Sequence, residues 1–460
     1  MINTNYGDDS PIAAFATTPG PSALSLIRCS GKGALEAAAS VFSSPKKLLE
    51  AKGNTVLHGW VMANKAPIDE VLISVFRAPK SYTGEDSLDI SCHGGTAAGS
   101  GVLAALRTAG FRDALPGEFT FRAFMNGKID LTKSESIMEI VSAKTETAHL
   151  HALGRLSGRL ETEINSIKKS LVEILSKVEL FLDYSEDEIN LDETDGSIID
   201  RKACEEALNR LEMLGETAKT ERIYKEGILL VIAGRANAGK SSLFNLLIKE
   251  DRSIVTEVPG TTRDWIEAWI SIEGIPIRLA DTAGLRESSD PVEKIGIERS
   301  KDLLKAAGLV LYLIDGTLGF TREDEKNIGL CRQFGKPVLV LWNKLDLAPQ
   351  PAAGEKFTGI SAKTSEGVSE LISAIGKAIV PDTCIDLTKS VSLGTVRQEK
   401  LVNEAAAALK EALNLEAKGE PLDISASFLR DSVKFLGEIT GEVSSADILE
   451  EMFSKFCVGK

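Results

Sequence analysis

The residues Gly234-Arg-Ala-Asn-Ala-Gly239-Lys240-Ser241 fit the pattern G-x-x-x-x-G-K-S. Glycines in such a loop let backbone N–H groups wrap phosphates, a lysine at position 240 balances charge on the β- and γ-phosphates, and the Ser241 hydroxyl can ligate Mg²⁺. Asn237, Ala238, Gly239 and Ser242 complete this phosphate-binding set. Downstream, Asp281-Thr282-Ala283-Gly284 places a carboxylate behind Mg²⁺ and a glycine N–H near the γ-phosphate. In Asn343-Lys344-Leu345-Asp346 the last carboxylate can accept hydrogen bonds from the N1–H and exocyclic amine of guanine, which adenine cannot offer, so GTP is selected over ATP. Ser361-Ala362-Lys363 adds a backbone donor for the guanine carbonyl. Between the first two motifs lies Thr256-Glu-Val258-Pro-Gly260-Thr261-Thr262-Arg-Asp264, a switch segment in which Thr256, Gly260 and Thr261 border the nucleotide and Thr262 is the expected second hydroxyl ligand to Mg²⁺. Four motifs in this order predict GTP hydrolysis, with Lys240 and Thr262 in catalytic roles.

Many small GTPases orient the attacking water with a glutamine directly after Asp-x-x-Gly, but here that position is Leu285, which cannot hydrogen-bond. Another group must do this. The carboxylates Glu287, Asp290 and Glu293 all lie in range by spacing alone, and composition does not choose among them.

These loops need a scaffold. Apolar runs precede each of them: Ile228 to Ala233, Ile277 to Ala280 and Val338 to Trp342. Strands alternate with helices from Gly227 to about Val380, which predicts an α/β module with a mostly parallel sheet. Upstream, short β-type runs (Ala23 to Arg28, Thr55 to Met62, Val71 to Arg77, Ser87 to Cys92) alternate with helical patterns (Gly33 to Phe42, Thr96 to Ala109), as in a compact α+β domain. Apolar residues at helical spacing predict long helices between Ser134 and Asp183, and helix again from Ile198 to about Tyr224. The acidic stretch Ser185 to Asp195 between them reads as a solvated turn. Amphipathic helices return at Val396 to Lys418, Ser425 to Leu436 and Ser444 to Phe456. Helices thus flank the α/β module on both sides, and the simplest partner for each apolar stripe is the other flank. The expected layout is multidomain: an N-terminal α+β domain (1–119), a helical domain in two parts (120–226 and 381–460), and an α/β domain (227–380) inserted into it.

Bulk properties agree with this. The 460 residues allow two to four domains, and 43% hydrophobic with 26% charged residues is ordinary for a soluble protein. No apolar run reaches the roughly 18 residues of a membrane span. Met1 to Asp9 is polar and acidic, unlike a secretory signal, so cytoplasmic residence is expected. The six cysteines form no C-x-x-C pair, and only four histidines are present, so no metal-ligand cluster is apparent. A net charge of -14 argues against a broad nucleic-acid surface.

Taken together, Gly-Arg-x-Asn-Ala-Gly-Lys-Ser-Ser, Gly260-Thr-Thr-Arg-Asp264, Asp281-Thr-Ala-Gly-Leu-Arg-Glu287 and the terminal Cys457-Val-Gly-Lys460 resemble the tRNA-modification GTPase MnmE (TrmE) family. Tyr82-Thr-Gly-Glu-Asp86, His93-Gly-Gly95 and Pro116-Gly-Glu-Phe-Thr-Phe-Arg-Ala-Phe-Met-Asn-Gly-Lys128 look like that family's N-terminal segments, so the likeness spans nearly the whole chain. It implies a folate-binding N-terminal domain that also dimerises, a discontinuous helical domain and an inserted, Ras-like P-loop G domain. It implies, too, that the chain works as a homodimer with an FAD-dependent partner, MnmG, to install an aminomethyl-type group on carbon five of the wobble uridine of certain tRNAs, with tRNA held largely by the partner. By resemblance Arg28, Glu85, Lys128 and Lys460 would contact 5-formyl-tetrahydrofolate or a related folate. Asn237, Thr256, Val258 and Thr261 match the ligands of a potassium ion that stands in for an arginine finger, and Glu293 matches the glutamate that orients water. Cys457 is a candidate for chemistry, though a lone cysteine without an evident base is more often a packed or weakly reactive thiol. His93 more readily shapes a turn than acts as a base. Departures include Thr18-Pro-Gly-Pro-Ser22 in the N-terminal glycine-rich loop, Ala236 for a usual proline, and Val458 for a usual isoleucine. Two rival readings are a ribosome-assembly GTPase switch, which would not bind folate, and a non-catalytic folate-sensing scaffold, which would not need an intact Lys240, Ser241, Thr262 and Asp281.

Overall fold

The computed structural model describes residues 6, 8–18, 20–183, 198–250, 267–281, 302–350, 357–380 and 391–460. The chain divides into two compact units: Met1–Met138 with Glu161–Arg201 and Ala407–Lys460, and Glu139–Leu160 with Lys202–Ala406. The segments 120–226 and 381–460 each contribute to both.

In the first unit, strands β1 (Ile12–Phe15), β2 (Leu24–Ser30), β3 (Thr55–Ala63), β4 (Ala66–Phe76), β5 (Ser87–His93) and β6 (Arg112–Asp113) form one sheet in the order β3-β4-β5-β2-β1-β6. All neighbours are antiparallel except β1 and β6. Alternation decides its faces: Leu88, Ile90 and Cys92 of β5 and Val71, Ile73 and Val75 of β4 point into one core. That core is closed by helices Ala34–Ser40, Pro45–Glu50 and Thr96–Thr108. Helices Arg159–Asp183 and Leu422–Thr440 belong to the same unit, at least from Glu161 onward, and are linked by the pair Glu179–Arg430, with Lys168 also reaching Glu442 just beyond the second helix.

The second unit carries β7 (Ile228–Gly234), β8 (Glu267–Ile272), β9 (Ile275–Asp281), β10 (Leu309–Asp315), β11 (Val338–Asn343) and β12 (Thr358–Gly359), ordered β12-β11-β10-β7-β9-β8. Every pair is parallel except the hairpin β8–β9. Leu230 and Ile232 enter one apolar cluster and Leu229, Val231 and Ala233 the other, so the sheet is covered on both faces and its strands are apolar throughout. This is the expected α/β P-loop architecture.

Two differences from the sequence-based expectation have local causes. The apolar periodicity over 134–183 is divided among three helices, Leu131–Ser142, Glu146–Leu156 and Arg159–Asp183. Thr145 caps the second, its hydroxyl accepting from the Ala148 N–H at 3.2 Å, and Gly158 breaks the third from it with φ +89°. The short strands Ile12–Phe15 and Arg112–Asp113 were not expected, because pieces of four and two residues carry too little periodicity. Among the described residues no helix is long and apolar enough to cross a membrane.

Candidate functional site

The carboxyl ends of β7, β9, β10 and β11 converge, and the expected nucleotide residues lie there, at the edge where open α/β sheets bind ligands. β7 ends at Gly234, whose backbone (φ +147°) passes so near Leu313 of β10 that a Cβ would meet its carbonyl oxygen at 2.6 Å. The loop turns through Asn237 (φ +61°) and Gly239 (φ +99°) into helix Lys240–Glu250. A side chain at Gly239 would strike the Asn343 amide, so only glycine lets these two loops approach. Lys240 is 9% exposed, its ammonium donating to the carbonyls of Gly234 and Arg235, both at 2.8 Å. The Ser241 hydroxyl donates to Asp281 Oδ2 at 3.0 Å, and Asp281 is 7% exposed. A hydroxyl and a carboxylate meeting beside a phosphate loop are the hard oxygen donors Mg²⁺ takes, so these residues fit the ion.

Asn343 joins this cradle to the base-binding loops. It is 2% exposed; its Nδ2 donates to the Ala238 carbonyl at 2.7 Å, and its Oδ1 accepts from the Ala362 N–H at 3.0 Å. Ser361 in turn donates its hydroxyl to Asp346 Oδ1 at 2.7 Å and accepts from the Thr364 N–H at 3.2 Å. Asp346 is thereby held by one oxygen with carboxylate capacity left over, as guanine recognition requires. Lys363 lies in the exposed turn that follows.

A second group of expected residues gathers in the first unit around the loop between β4 and β5. Arg28, on β2, pairs across the sheet with Asp89 of β5 (Nε to Oδ1 3.1 Å), lies 5.6 Å from the Tyr82 ring centre, and donates to the Gly459 carbonyl at 3.4 Å. Glu85 accepts from Ser30 at 2.9 Å and from the Arg122 guanidinium at 3.3 Å. Lys128 donates to the Pro79 carbonyl at 2.9 Å and lies in the bend after helix Glu118–Met125. The tail is turned by Gly459 (φ +92°) against the Phe15 backbone, and the Lys460 N–H donates to the Cys457 carbonyl at 3.3 Å. Cys457 is exposed, in contrast to the buried Cys29, Cys92, Cys204 and Cys331. A guanidinium, an aromatic ring, an anchored carboxylate and an ammonium around one loop suit a planar, polar, anionic ligand of folate type.

Residues 131–457 match the family description "MnmE helical domain", and residues 11–128 match "GTP-binding protein TrmE N-terminus". The chain is 42% identical to the tRNA modification GTPase MnmE of Treponema denticola over 473 aligned residues, covering 99% of each protein. It is 38% identical to the protein of that name from Carboxydothermus hydrogenoformans, covering 98% of this chain and 100% of the other. The chain belongs to the tRNA modification GTPase MnmE family. Lactococcus lactis MnmE, 40% identical over 98% of both chains, is a third relative.

Several of the MnmE-type residues expected above lie outside the described residues: Thr256, Val258, Gly260, Thr261, Thr262, Thr282, Ala283, Gly284, Leu285, Glu287, Asp290 and Glu293. Pro19 of the altered N-terminal loop and the acidic stretch 185–195 lie outside them as well. His93 is engaged with Asp69, which accepts from its backbone N–H at 2.8 Å and meets its Nδ1 at 2.7 Å. The hydrogen bond to Asp69, and then its charge, hold the imidazole pKa above the ordinary 6.5.

Sequence reasoning missed partners that arrive from other strands. Asp315 ends β10 and receives the Lys344 ammonium at 2.5 Å; Asp89 of β5 pairs with Arg28. A carboxylate closing the apolar run 309–314 was the available signal for Asp315. The cross-sheet partners of Arg28 had none, since register is invisible without the fold.

Proposed function

We propose that this GTPase of tRNA modification is potassium-stimulated and, as a homodimer with an FAD-dependent partner, helps install an aminomethyl or carboxymethylaminomethyl group at C5 of the wobble uridine (position 34), using a one-carbon unit from tetrahydrofolate. The observation that carries the hydrolytic part is the contact of Ser241 with Asp281 beside Lys240, which brings two separate motifs to one Mg²⁺ position. The P-loop N–H groups and Lys240 bind and orient the phosphates, Ser241 and Thr262 hold Mg²⁺, and Asp346 with Ala362 reads guanine. Asn237, Thr256, Val258 and Thr261 would hold potassium, which when bound supplies positive charge near the β- and γ-phosphates. Glu293 orients the attacking water, a role Leu285 cannot fill.

Arg28, Glu85, Lys128 and Lys460 would hold the folate, with Cys457 on the same tail. Arg28 and the tail support this reading by their direct contact at Gly459. The proposed layout keeps the four segments 1–119, 120–226, 227–380 and 381–460, in a cytoplasmic protein whose tRNA contacts lie largely on the partner. Two experiments test it. Hydrolysis should be faster in potassium than in sodium and lost in Glu293→Ala; equal rates in both salts, or an unimpaired variant, would remove the hydrolytic mechanism. Deleting the gene should strip the wobble-uridine modification from cellular tRNA, as read by mass spectrometry, and unchanged nucleosides would refute the modification role.

A further inference from the structure

Arg235 is the second residue of the phosphate loop, and its backbone carbonyl carries two contacts. It accepts from the Ala238 N–H at 3.3 Å, which closes the turn of the loop, and from the Lys240 ammonium at 2.8 Å. The direction of that one peptide therefore sets both the turn and the place of the ammonium. It lies one residue past the end of β7, where the strand no longer fixes it.

The Arg235 side chain supplies an anchor instead. It reaches the N-terminus of helix Arg322–Gln333: Nε lies 3.0 Å from Glu323 Oε2, and Nη1 donates to the Thr321 hydroxyl at 3.3 Å and stands 4.0 Å from Asp324 Oδ2. That helix end is itself built onto the sheet. Thr321 and Asp324 form a reciprocal capping box, the Thr321 hydroxyl donating to Asp324 Oδ2 at 2.6 Å and accepting from the Asp324 N–H at 3.3 Å. Asp324 is 1% exposed, and its Oδ1 accepts from the Tyr312 phenol at 3.1 Å; Tyr312 on β10 lies directly opposite Ala233 of β7. A cation at a helix N-terminus works against the helix dipole. Here the acidic first turn, Glu323, Asp324 and Glu325, reverses the local sign and makes the helix end a seat for a guanidinium.

We infer that Arg235 is a positioning residue for GTP hydrolysis: seated on the N-terminus of helix Arg322–Gln333, it fixes the peptide that orients Lys240 for the phosphates. The inference deepens the reading of Lys240 as a phosphate ligand and rests on it; loss of hydrolysis in Lys240→Ala tests that reading separately. Arg235 acts through Lys240 and not on the nucleotide itself. A small displacement of the ammonium costs most where charge develops in the transition state, and little in ground-state binding.

The test uses the full chain, with GTP hydrolysis at saturating Mg²⁺, GDP affinity by calorimetry and the melting temperature of each variant. Arg235→Ala should lower kcat about tenfold and leave KM for GTP and GDP affinity within about threefold of wild type. Glu323→Gln, at a side chain 62% exposed, removes one charge of the seat and should lower kcat about threefold. Added to Arg235→Ala it should cost nothing further, because one tether is being removed twice. In single-turnover measurements Arg235→Ala should likewise add no loss to Lys240→Ala, whereas a side chain that only held the fold together would lower the melting temperature and cost as much on either background. If Arg235→Ala fails to fold, Glu323→Gln alone and combined with Lys240→Ala carries the same test. Unchanged kcat in Arg235→Ala, or in Glu323→Gln where that variant stands in, a loss confined to KM, or a full further loss on the Lys240→Ala background would overturn the assignment.

Discussion

Single residues at the phosphate edge carry sharp expectations. Lys240→Ala removes the only side-chain cation of the G-x-x-x-x-G-K-S loop that reaches the Gly234 and Arg235 carbonyls, and Ser241→Ala removes the hydroxyl that meets Asp281. Each should lower kcat for GTP by about a hundredfold or more, and the Ser241 variant should also need more Mg²⁺ for half-maximal rate. Steady-state hydrolysis against Mg²⁺ concentration checks both. His93 offers a different kind of test. Its pKa is raised in the folded chain, so the stability it contributes is fully present below about 6.5 and is lost as pH rises through the raised value. An NMR titration should place its midpoint above 6.5, and Asp69→Asn should lower it. A midpoint unmoved by Asp69→Asn would contradict the hydrogen bond as its cause.

At the scale of elements, the second unit contains a buried ionic knot. Arg155 donates to Glu139 Oε2 at 2.8 Å and lies 2.9 Å from Glu221, while Lys225 reaches Glu139 Oε1 at 2.8 Å and the Gly394 carbonyl at 3.0 Å. The knot ties helices Leu131–Ser142, Glu146–Leu156 and Arg201–Glu226 to the segment that leads into Val396–Ala417. Removing Arg155 leaves Glu139 with Lys225 and Glu221 with His151 and Ser392, so Arg155→Met should destabilise this unit by about 3 kcal/mol, measured by urea denaturation. Desolvation works to raise the Glu221 pKa, but contacts with His151, Arg155 and Ser392 outweigh it and hold the carboxyl below the ordinary value. A depressed carboxyl stabilises the fold above its unfolded-state pKa and loses that contribution as pH falls through the folded one. The wild-type advantage over Arg155→Met should therefore shrink in acid.

For the whole molecule, the expectations concern connection and charge. Limited proteolysis should release a folded fragment of about 227–380 while the flanking pieces, about 120–226 and 385–460, stay associated; electrophoresis under native conditions reads the outcome, and separately migrating flanks would count against the inserted arrangement. The pairs Lys168–Glu442, Glu179–Arg430 and Arg201–Glu416 already join early and late helices within the first unit. With a net charge of -14, the chain alone should bind tRNA weakly, with a shallow dependence on salt, and more strongly once the proposed FAD-dependent partner is added. Filter binding across a salt series measures this.

The sequence by itself determined the parts whose physics is local. A phosphate loop needs glycines, a lysine and a hydroxyl at fixed spacing between a strand and a helix, and Gly234 to Ser241 meet that requirement with no knowledge of the rest of the chain. The α/β alternation, the amphipathic flanks and the terminal Cys457-Val-Gly-Lys460 were legible for the same reason. What only the tertiary structure decided is which side chains meet across strands distant in sequence. The pairing of Asp315 with Lys344, of Arg28 with Asp89 and of Asn343 with the Ala238 carbonyl depends on strand order and register. Register is set by packing of the whole sheet, and a slip of one residue would turn each partner to the other face.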